Sequence, residues 1–206
     1  MGNPSKTKGA RQRPERANLA LIVLSGPSGA GKTTVARQVQ ERLGLARSVS
    51  ATTRQRRPGE TDGIDYYFVS REEFRRRVDA GQFVEWAEVF GQLYGTPVEA
   101  VGRARAAGRT ILLEIDVQGG IQIKRKFPEA FAILLLAPDP QALRARLSTR
   151  GTEAPEEAQR RVAKAAEEVA MARASGCYDV EVVNNDLKAA VNKVVSIIEA
   201  RRKSDD

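Results

Sequence analysis

The feature that most constrains the fold is an apolar run, Leu19–Leu24, that leads directly into a glycine-rich segment. Gly26–Thr33 reads Gly-Pro-Ser-Gly-Ala-Gly-Lys-Thr and fits the pattern G-x-x-x-x-G-K-[ST] at every fixed position. Behind it Val35, Val39 and Leu43 recur at every fourth position, which is typical of one helix face. A strand, a tight loop and a helix in this order predict backbone N–H groups that surround phosphate oxygens at a helix N-terminus.

A tight turn alone does not require Gly-Lys-Thr in this order, so the loop predicts binding of a nucleoside triphosphate. We expect Lys32 to reach the β- and γ-phosphates and the Thr33 hydroxyl to bind Mg²⁺. The loop by itself leaves open a GTPase, a motor or a kinase for a small acceptor. The residues predicted to bind the triphosphate are Gly26, Pro27, Ser28, Gly29, Ala30, Gly31, Lys32, Thr33 and Thr34.

Strands and helices are predicted to alternate along the rest of the chain. Two almost wholly apolar runs, Thr110–Asp116 and Phe131–Ala137, favour a parallel sheet covered by helices on both faces. Further strands are predicted at Tyr66–Val69, Phe83–Phe90 and Val180–Val183. Helices are predicted from the capping box Ser70–Glu73 to Val78, at Thr96–Ala107, Gly120–Phe127 and Leu187–Arg202, and over a charged region 141–175 that breaks at Arg150-Gly151.

Composition narrows the class of protein. The single cysteine excludes an internal disulfide, and the absence of histidine excludes a Cys/His zinc site. No apolar run reaches the roughly 20 residues of a membrane span, so a cytoplasmic protein with no membrane contact is expected. Half of the net charge of +8 lies in residues 1–18, which carry five basic residues against Glu15. This tail is predicted to be disordered, with weak contact to a nucleic acid or anionic surface as the alternative and no specific nucleic-acid binding expected.

Two groups of charged residues are candidates for the acceptor side of the site. Glu114 and Asp116 end a predicted core strand, where carboxylates of parallel sheets lie beside the ligand crevice, and the alternative is a strand end that faces solvent. Arg54, Arg56 and Arg57 form either a solvated loop or an anion clamp, because guanidinium groups match phosphate oxygens bidentately.

At this point the chain resembles the guanylate kinase family over about residues 19–203. The matching segments, in the family's order, are Ser25–Thr33, Ser50–Glu60, Asp65–Phe68, Phe83–Trp86, Tyr94-Gly95, Glu114–Gly119 and Arg150–Glu153. Glu114 departs from the pattern, since many members have Asp there. The resemblance implies an α/β fold of the P-loop nucleoside monophosphate kinase type, a parallel sheet core flanked by helices, with GMP-binding and lid insertions.

The resemblance also implies an organisation and a set of roles. The core would comprise 19–50, 108–140 and 172–206, with a GMP-binding segment at 51–107 and a lid at 141–171. The residues implied to bind the guanine are Ser50, Glu85, Thr96 and Asp116, and those implied to bind the GMP phosphate are Arg54, Arg57, Tyr66 and Tyr94. Those implied to act in catalysis are Lys32, Arg54, Arg146, Arg150 and Arg161, with Asn184 near adenine and Glu114 assisting Mg²⁺ through water.

The implied activity is ATP-dependent phosphorylation of GMP, and of dGMP, in purine nucleotide metabolism. Glu85 fits this acceptor chemically, because one carboxylate can accept both the N1–H and the 2-amino group of guanine, whereas adenine presents a lone pair at N1. Three alternatives remain open: an inactive guanylate-kinase-like module that binds protein partners, a kinase of another nucleotide or small metabolite, and a nucleic-acid binder. The sequence does not exclude an oligomer.

Overall fold

The computed structural model describes residues 21–148 and 155–205, within which the chain forms nine strands and seven helices. The strands are β1 Leu21–Ser25, β2 Ala46–Arg47, β3 Ala51–Thr52, β4 Tyr67–Phe68, β5 Phe83–Val89, β6 Gln92–Pro97, β7 Ile111–Ile115, β8 Phe131–Leu136 and β9 Val180–Val183. The helices are α1 Lys32–Leu43, α2 Arg71–Asp79, α3 Val98–Ala106, α4 Val117–Lys126, α5 Pro140–Ser148, α6 Pro155–Ser175 and α7 Leu187–Asp205. The predicted tail at residues 1–18 and the predicted break at Arg150-Gly151 lie outside the described residues.

The main sheet is wholly parallel and has the strand order β2-β7-β1-β8-β9. Strand β1 therefore lies in the centre, and its two neighbours come from much later in the chain. Ser25, the last residue of β1, is in register with Ile115 of β7 and Leu134 of β8. Because the strands are parallel, the loops that follow them all emerge at one edge, where α/β proteins bind ligands.

Helices cover both faces of this sheet, which explains why its strands are apolar at nearly every position. On one face Ile22 and Leu24 pack with α1 and α7, through residues such as Val39 and Val194. On the other face Val23 and its neighbours pack with α3 and α4. This arrangement confirms the predicted parallel core flanked by helices. Within the described ranges, no helix is long and apolar enough to cross a membrane.

A second sheet with the order β4-β3-β6-β5 packs against α2. Strands β5 and β6 form an antiparallel hairpin, whereas β3 pairs parallel with β4 and antiparallel with β6. Its small core contains Phe74 of α2 stacked on Phe83 of β5, with ring centroids 4.6 Å apart. The predicted strand at Phe83–Phe90 and the predicted helix after Ser70 are confirmed, with small changes at their ends.

Strand β6 is absent from the sequence-based prediction, which instead begins a helix at Thr96. That boundary is wrong, because Thr96 and Pro97 end β6 and α3 begins at Val98. Gly95 and Pro97 are residue types that strands disfavour, so the local sequence gives no strand signal here. The fold requires Gly95, because a Cβ at that position would lie 2.9 Å from the ring of Phe83 and 3.0 Å from that of Phe74.

Helix α4 begins three residues before its predicted start at Gly120. The Asp116 side chain accepts a hydrogen bond from the N–H of Gly119 at 2.7 Å and so caps a helix whose first residue is Val117. The sequence does not predict that α4 begins at Val117, because Gly119 and Gly120 follow at once and glycine disfavours helix interiors.

Replacing Ser70 with alanine tests the second sheet's supporting helix. The Ser70 hydroxyl accepts the Glu73 N–H at 3.1 Å, so we expect Ser70→Ala to lower the free energy of unfolding by about 1 kcal/mol. Urea denaturation followed by circular dichroism measures the difference. Ser196, exposed inside α7, provides the matched control, and equal losses for Ser70→Ala and Ser196→Ala would contradict the cap.

Candidate functional site

The glycine-rich loop lies between β1 and α1 at the carboxyl edge of the main sheet, as predicted. Gly29 and Gly31 have φ values of 85° and 92°, which side-chain-bearing residues rarely adopt. A Cβ on Gly26 would lie 2.1 Å from the carbonyl oxygen of Leu135, and one on Gly31 would lie 2.4 Å from the Asn184 amide. The glycines therefore allow both the turn and the close approach of β8 and the segment after β9.

Lys32 is the first residue of α1, and its ammonium lies within the loop itself. The Nζ atom donates to the carbonyl oxygens of Gly26 at 2.7 Å and Pro27 at 2.9 Å. Next to it, the Thr33 hydroxyl donates to Oε1 of Glu114 at 2.5 Å. This contact joins the loop to the end of β7 and places two oxygen-bearing side chains side by side.

Helix α6 contacts the loop through Ser28. Arg161 donates from Nη2 to the Ser28 hydroxyl at 2.7 Å, and the carboxylate of Glu168 accepts the Ser28 N–H. Arg161 and Glu168 are both buried. Burial raises the pKa of Glu168, although the nearby Lys32 ammonium opposes the shift. The resemblance pointed to Arg161 but not to Glu168, whose position in a long charged helix gave no local signal.

Asn184 follows β9 and binds the backbone of the glycine-rich loop. Its side-chain amide donates to the Ala30 carbonyl oxygen at 2.8 Å, and its own backbone carbonyl accepts from Nη2 of Arg146 at 2.6 Å. The Asn184 Oδ1 atom is buried and makes no hydrogen bond within the described residues. Arg150, which like Arg146 is implied to act in catalysis, lies outside the described residues.

Two carboxyl groups, the buried Glu85 and the half-buried Asp116, form the opposite wall of the site. Glu85 of β5 is only 5% exposed, and its Oε1 accepts from the Thr96 hydroxyl at 2.5 Å. Burial raises the pKa of Glu85 to about 7, and the nearby charge of Asp116 adds to the rise, against the effect of the Thr96 hydrogen bond. Burial also raises the pKa of Asp116, whose Oδ2 has no hydrogen-bond partner within the described residues.

Arg54 is held by contacts that its own sequence neighbourhood supplies. It forms a bidentate pair with Glu60, at 3.1 and 2.7 Å, and its guanidinium carbon lies 5.6 Å from the ring centroid of Tyr66. Glu60 also accepts the Arg57 N–H at 2.8 Å. Partial burial tends to raise the pKa of Glu60, but the hydrogen bonds from Arg54 and Arg57 outweigh it and lower this pKa below its ordinary value. The resemblance includes Glu60 in a matching segment but implies no role for it.

Tyr66 and Tyr94 lie beside Arg54 and Arg57, and these four residues with Glu60 are called the arginine group below. The Tyr66 and Tyr94 rings meet edge to face, with centroids 6.0 Å apart. Burial raises the pKa of Tyr66 to about 12, so its phenol stays protonated and can donate a hydrogen bond at neutral pH. Arg57 itself is exposed, whereas Ser50 is half-buried.

One cleft of about 640 Å³ joins these groups, a size typical of small-molecule sites. Predicted residues that line it are Ser28, Gly29, Gly31, Lys32, Thr33, Thr34, Ser50, Arg54, Arg57, Tyr66, Glu85, Tyr94, Glu114, Asp116 and Arg161. Predicted residues that are described but lie outside its lining are Gly26, Pro27, Ala30, Thr96, Arg146 and Asn184. Each of these six contacts a residue of the loop or of the carboxyl pair, directly or through Asn184. Glu60, Glu168 and Phe90 line the cleft without having been predicted.

Comparison with known proteins identifies the family. The family model described as guanylate kinase matches residues 18–201. The chain belongs to the guanylate kinase family. The guanylate kinase of Symbiobacterium thermophilum is 44% identical over 190 residues, which cover 92% of this chain and 89% of that relative. The guanylate kinase of Rubrobacter xylanophilus is 48% identical over 179 residues, covering 86% of this chain and 92% of its own.

A solved structure agrees with the guanylate kinase assignment. The crystal structure of guanylate kinase from Anaplasma phagocytophilum superimposes with a TM-score of 0.73 at 35% identity, covering 89% of this chain and 86% of that one. The P-loop nucleoside monophosphate kinase fold predicted from the resemblance is thereby confirmed.

The buried carboxyl of this guanylate kinase cleft predicts a measurable pH dependence of stability. The pKa of Glu85 is about 7 in the folded state against an ordinary 4.5, so its neutral carboxyl contributes to the free energy of unfolding at low pH. This contribution is fully present below about pH 4.5 and is lost as the pH rises to about 7. The shift corresponds to roughly 3 kcal/mol. We therefore expect Glu85→Gln to raise the free energy of unfolding at pH 8 and to change it little at pH 4.5.

Urea denaturation of the unliganded protein at both pH values tests this expectation. Glu88→Gln on the exposed side of the same strand is the matched control, and it should show no such pH-dependent gain. A Glu85→Gln protein that is less stable than wild type at pH 8 would show that the carboxylate stabilises the empty fold.

Proposed function

We propose that this guanylate kinase transfers the terminal phosphoryl group of ATP to the phosphate of GMP, and likewise of dGMP, forming ADP and a guanosine diphosphate. The observation that carries the proposal is a single cleft with the phosphate loop on one side and the Glu85–Asp116 carboxyl pair on the other. A donor that binds through phosphates and an acceptor that binds through its base would meet in this cleft. Membership of the family supports the same reaction.

The base-binding part of the proposal rests on unmet hydrogen bonding. Glu85 accepts the Thr96 hydroxyl with Oε1 and Asp116 accepts the Gly119 N–H with Oδ1, while Oδ2 of Asp116 has no partner within the described residues. The carboxyl pair therefore retains at least one oxygen for a ligand. Guanine offers adjacent donors at N1 and its 2-amino group, which match acceptor oxygens and would favour the ionised form of Glu85. Adenine would leave Glu85 opposite a lone pair, and such a buried mismatch costs on the order of 10⁴-fold in discrimination. Ser50 would add a hydroxyl on the cleft wall.

The acceptor phosphate would bind at the arginine group. Arg54 is oriented by Glu60 and by the Tyr66 ring, so little side-chain entropy remains to be lost on binding. Tyr66 and Tyr94 would donate phenolic hydrogen bonds, and the exposed Arg57 would add positive charge. A guanidinium already ordered in this way suits bidentate binding of phosphate oxygens.

Phosphoryl transfer would depend on positioning and charge. The acceptor phosphate is already an anionic nucleophile, so no general base is needed, in keeping with a chain that has no histidine. Lys32 in the loop and Arg161 beside Ser28 would offset negative charge that spreads over the transferring oxygens. Arg146 and Arg150 would offset the same negative charge, and Asn184 would lie near the adenine of ATP.

The residues beside the loop fit a magnesium ion. Thr33 and Glu114 present hard oxygen ligands 2.5 Å apart at the mouth of the phosphate loop, which is the donor type that Mg²⁺ prefers. Thr33 would hold the ion directly, with Glu114 acting through water. When bound with ATP, the ion would neutralise charge on the β- and γ-phosphates.

The proposal includes a division of the chain into parts. The core would comprise 19–50, 108–140 and 172–206, the GMP-binding segment 51–107 and the lid 141–171. Two features support it: the strands of the second sheet all lie between residues 51 and 97, and α6 carries both residues that contact Ser28. Closure of the lid would exclude water from the transfer.

A substrate panel tests the proposed reaction. We expect purified protein with ATP and Mg²⁺ to release ADP in the presence of GMP and dGMP, and to release far less with AMP, CMP or UMP. A coupled spectrophotometric assay measures ADP release. No GMP-dependent release would favour the inactive protein-binding module, and equal rates with AMP would remove the guanine from the proposal.

Two substitutions separate the two halves of the cleft. We expect Glu85→Gln to lower kcat/KM for GMP by at least roughly 10²-fold, because a donor then faces the guanine donors, while ATP binding measured by calorimetry is retained. Lys32→Ala should abolish transfer and leave the fold intact by circular dichroism. A Glu85→Gln enzyme with wild-type GMP turnover would contradict the base-binding role.

A further inference from the structure

The turn between β5 and β6 contains a residue that its own backbone conformation disfavours. Val89 pairs with Gln92, so Phe90 and Gly91 alone connect the strands, and their φ values are 50° and 73°. Two positive values at the centre of a two-residue hairpin are typical of a type I′ turn, which favours Asn, Asp or Gly at the first position. Phe90 is the only non-glycine residue with positive φ among the described residues.

Burial does not explain the phenylalanine either. Phe90 is 46% exposed and lines the cleft, whereas Phe74 and Phe83 form the core between the second sheet and α2. Phe90 therefore combines a backbone conformation that disfavours a phenylalanine with a large apolar ring that is half-exposed. Such departures are expected at functional sites, where another contact compensates for them.

The ring of Phe90 contacts the guanidinium of Arg161. The Arg161 guanidinium carbon lies 5.3 Å from the ring centroid, within the range of a cation–π interaction. The same guanidinium donates from Nη2 to the Ser28 hydroxyl at 2.7 Å. Arg161 therefore lies between the phosphate loop and the tip of the hairpin that carries Glu85 and Tyr94.

We propose that Phe90 is a positioning residue for phosphoryl transfer, because its ring fixes the guanidinium of Arg161 between the donor loop and the acceptor-binding sheet. The inference rests on the proposed function, in which Arg161 offsets charge on the transferring phosphoryl group. A planar guanidinium lying over an aromatic face keeps its N–H donors directed outward from the ring edge. The hairpin that holds the acceptor thus also sets the position of a catalytic arginine.

Phe90→Asn separates this role from a structural one. Asparagine suits the positive φ, so we expect the melting temperature to stay constant or rise by about 1–3 °C. We expect kcat to fall by about 3- to 30-fold, the range that corresponds to a cation–π contact, with KM for GMP and ATP within about threefold of wild type. Phe90→Tyr retains the ring face and should restore kcat. Met171→Ala, which removes another half-exposed apolar side chain outside the cleft lining, is the control.

A double-mutant cycle with Arg161→Ala shows whether Phe90 acts through that arginine. In the Arg161→Ala background Phe90→Asn should cause no further loss of kcat, because the partner of the ring is gone. Losses that multiply, a wild-type kcat for Phe90→Asn, or an effect on KM alone would each overturn the positioning role. A wild-type protein without GMP-dependent ADP release would overturn the proposed function as well, so the two failures are distinguishable.

Discussion

The central place of β1 in a wholly parallel sheet is the constraint on which the rest of the structure depends. Its hydrogen bonds to β7 and β8 align Ser25 with Ile115 and Leu134, so the loop after β1 emerges between the ends of two other strands. This alignment brings Glu114 to Thr33 and Asn184 to Ala30. The glycines of the loop are required by the same closeness, since β8 leaves no room for a Cβ at Gly26.

The site is formed largely by charged groups that the empty fold holds at a cost. Burial raises the pKa values of Glu85, Asp116 and Glu168, which means that the protein environment disfavours their ionised forms. The hydrogen bonds from Thr96, Gly119 and Ser28 offset part of that cost. A ligand that donates hydrogen bonds to these carboxylates would offset more, so in the proposed function the energetic cost of these carboxylates and their affinity for a hydrogen-bond-donating ligand would have the same physical origin.

Much of the fold follows from local patterns. The apolar runs of β1, β7 and β8 are buried on both faces, and the short strand β9 lies at Val180–Val183, where it is predicted. Strand β6 could not be found in this way, because Gly95 and Pro97 oppose a strand locally and only the rings of Phe74 and Phe83 explain the glycine. The roles of Glu60 and Glu168 have no local signal either, because Glu60 binds Arg54 only when its loop folds back and Glu168 reaches Ser28 only when α6 packs against the phosphate loop.

The sequence by itself determined the phosphate loop, since Gly-Lys-Thr between an apolar strand and a helix carries its chemistry in local backbone geometry. It also determined the family and the parallel core, through motifs and apolar runs that need no knowledge of contacts. Only the tertiary structure decided that Glu85 is buried beside Asp116, that Arg54 is held by Glu60, and that Arg161 joins Ser28 to Phe90. The contacts of Glu85 with Asp116 and of Arg161 with Ser28 and Phe90 join residues of different elements, and the Arg54–Glu60 pair depends on how one loop folds back on itself. Side-chain charge and burial depend on such neighbours, which no local pattern contains.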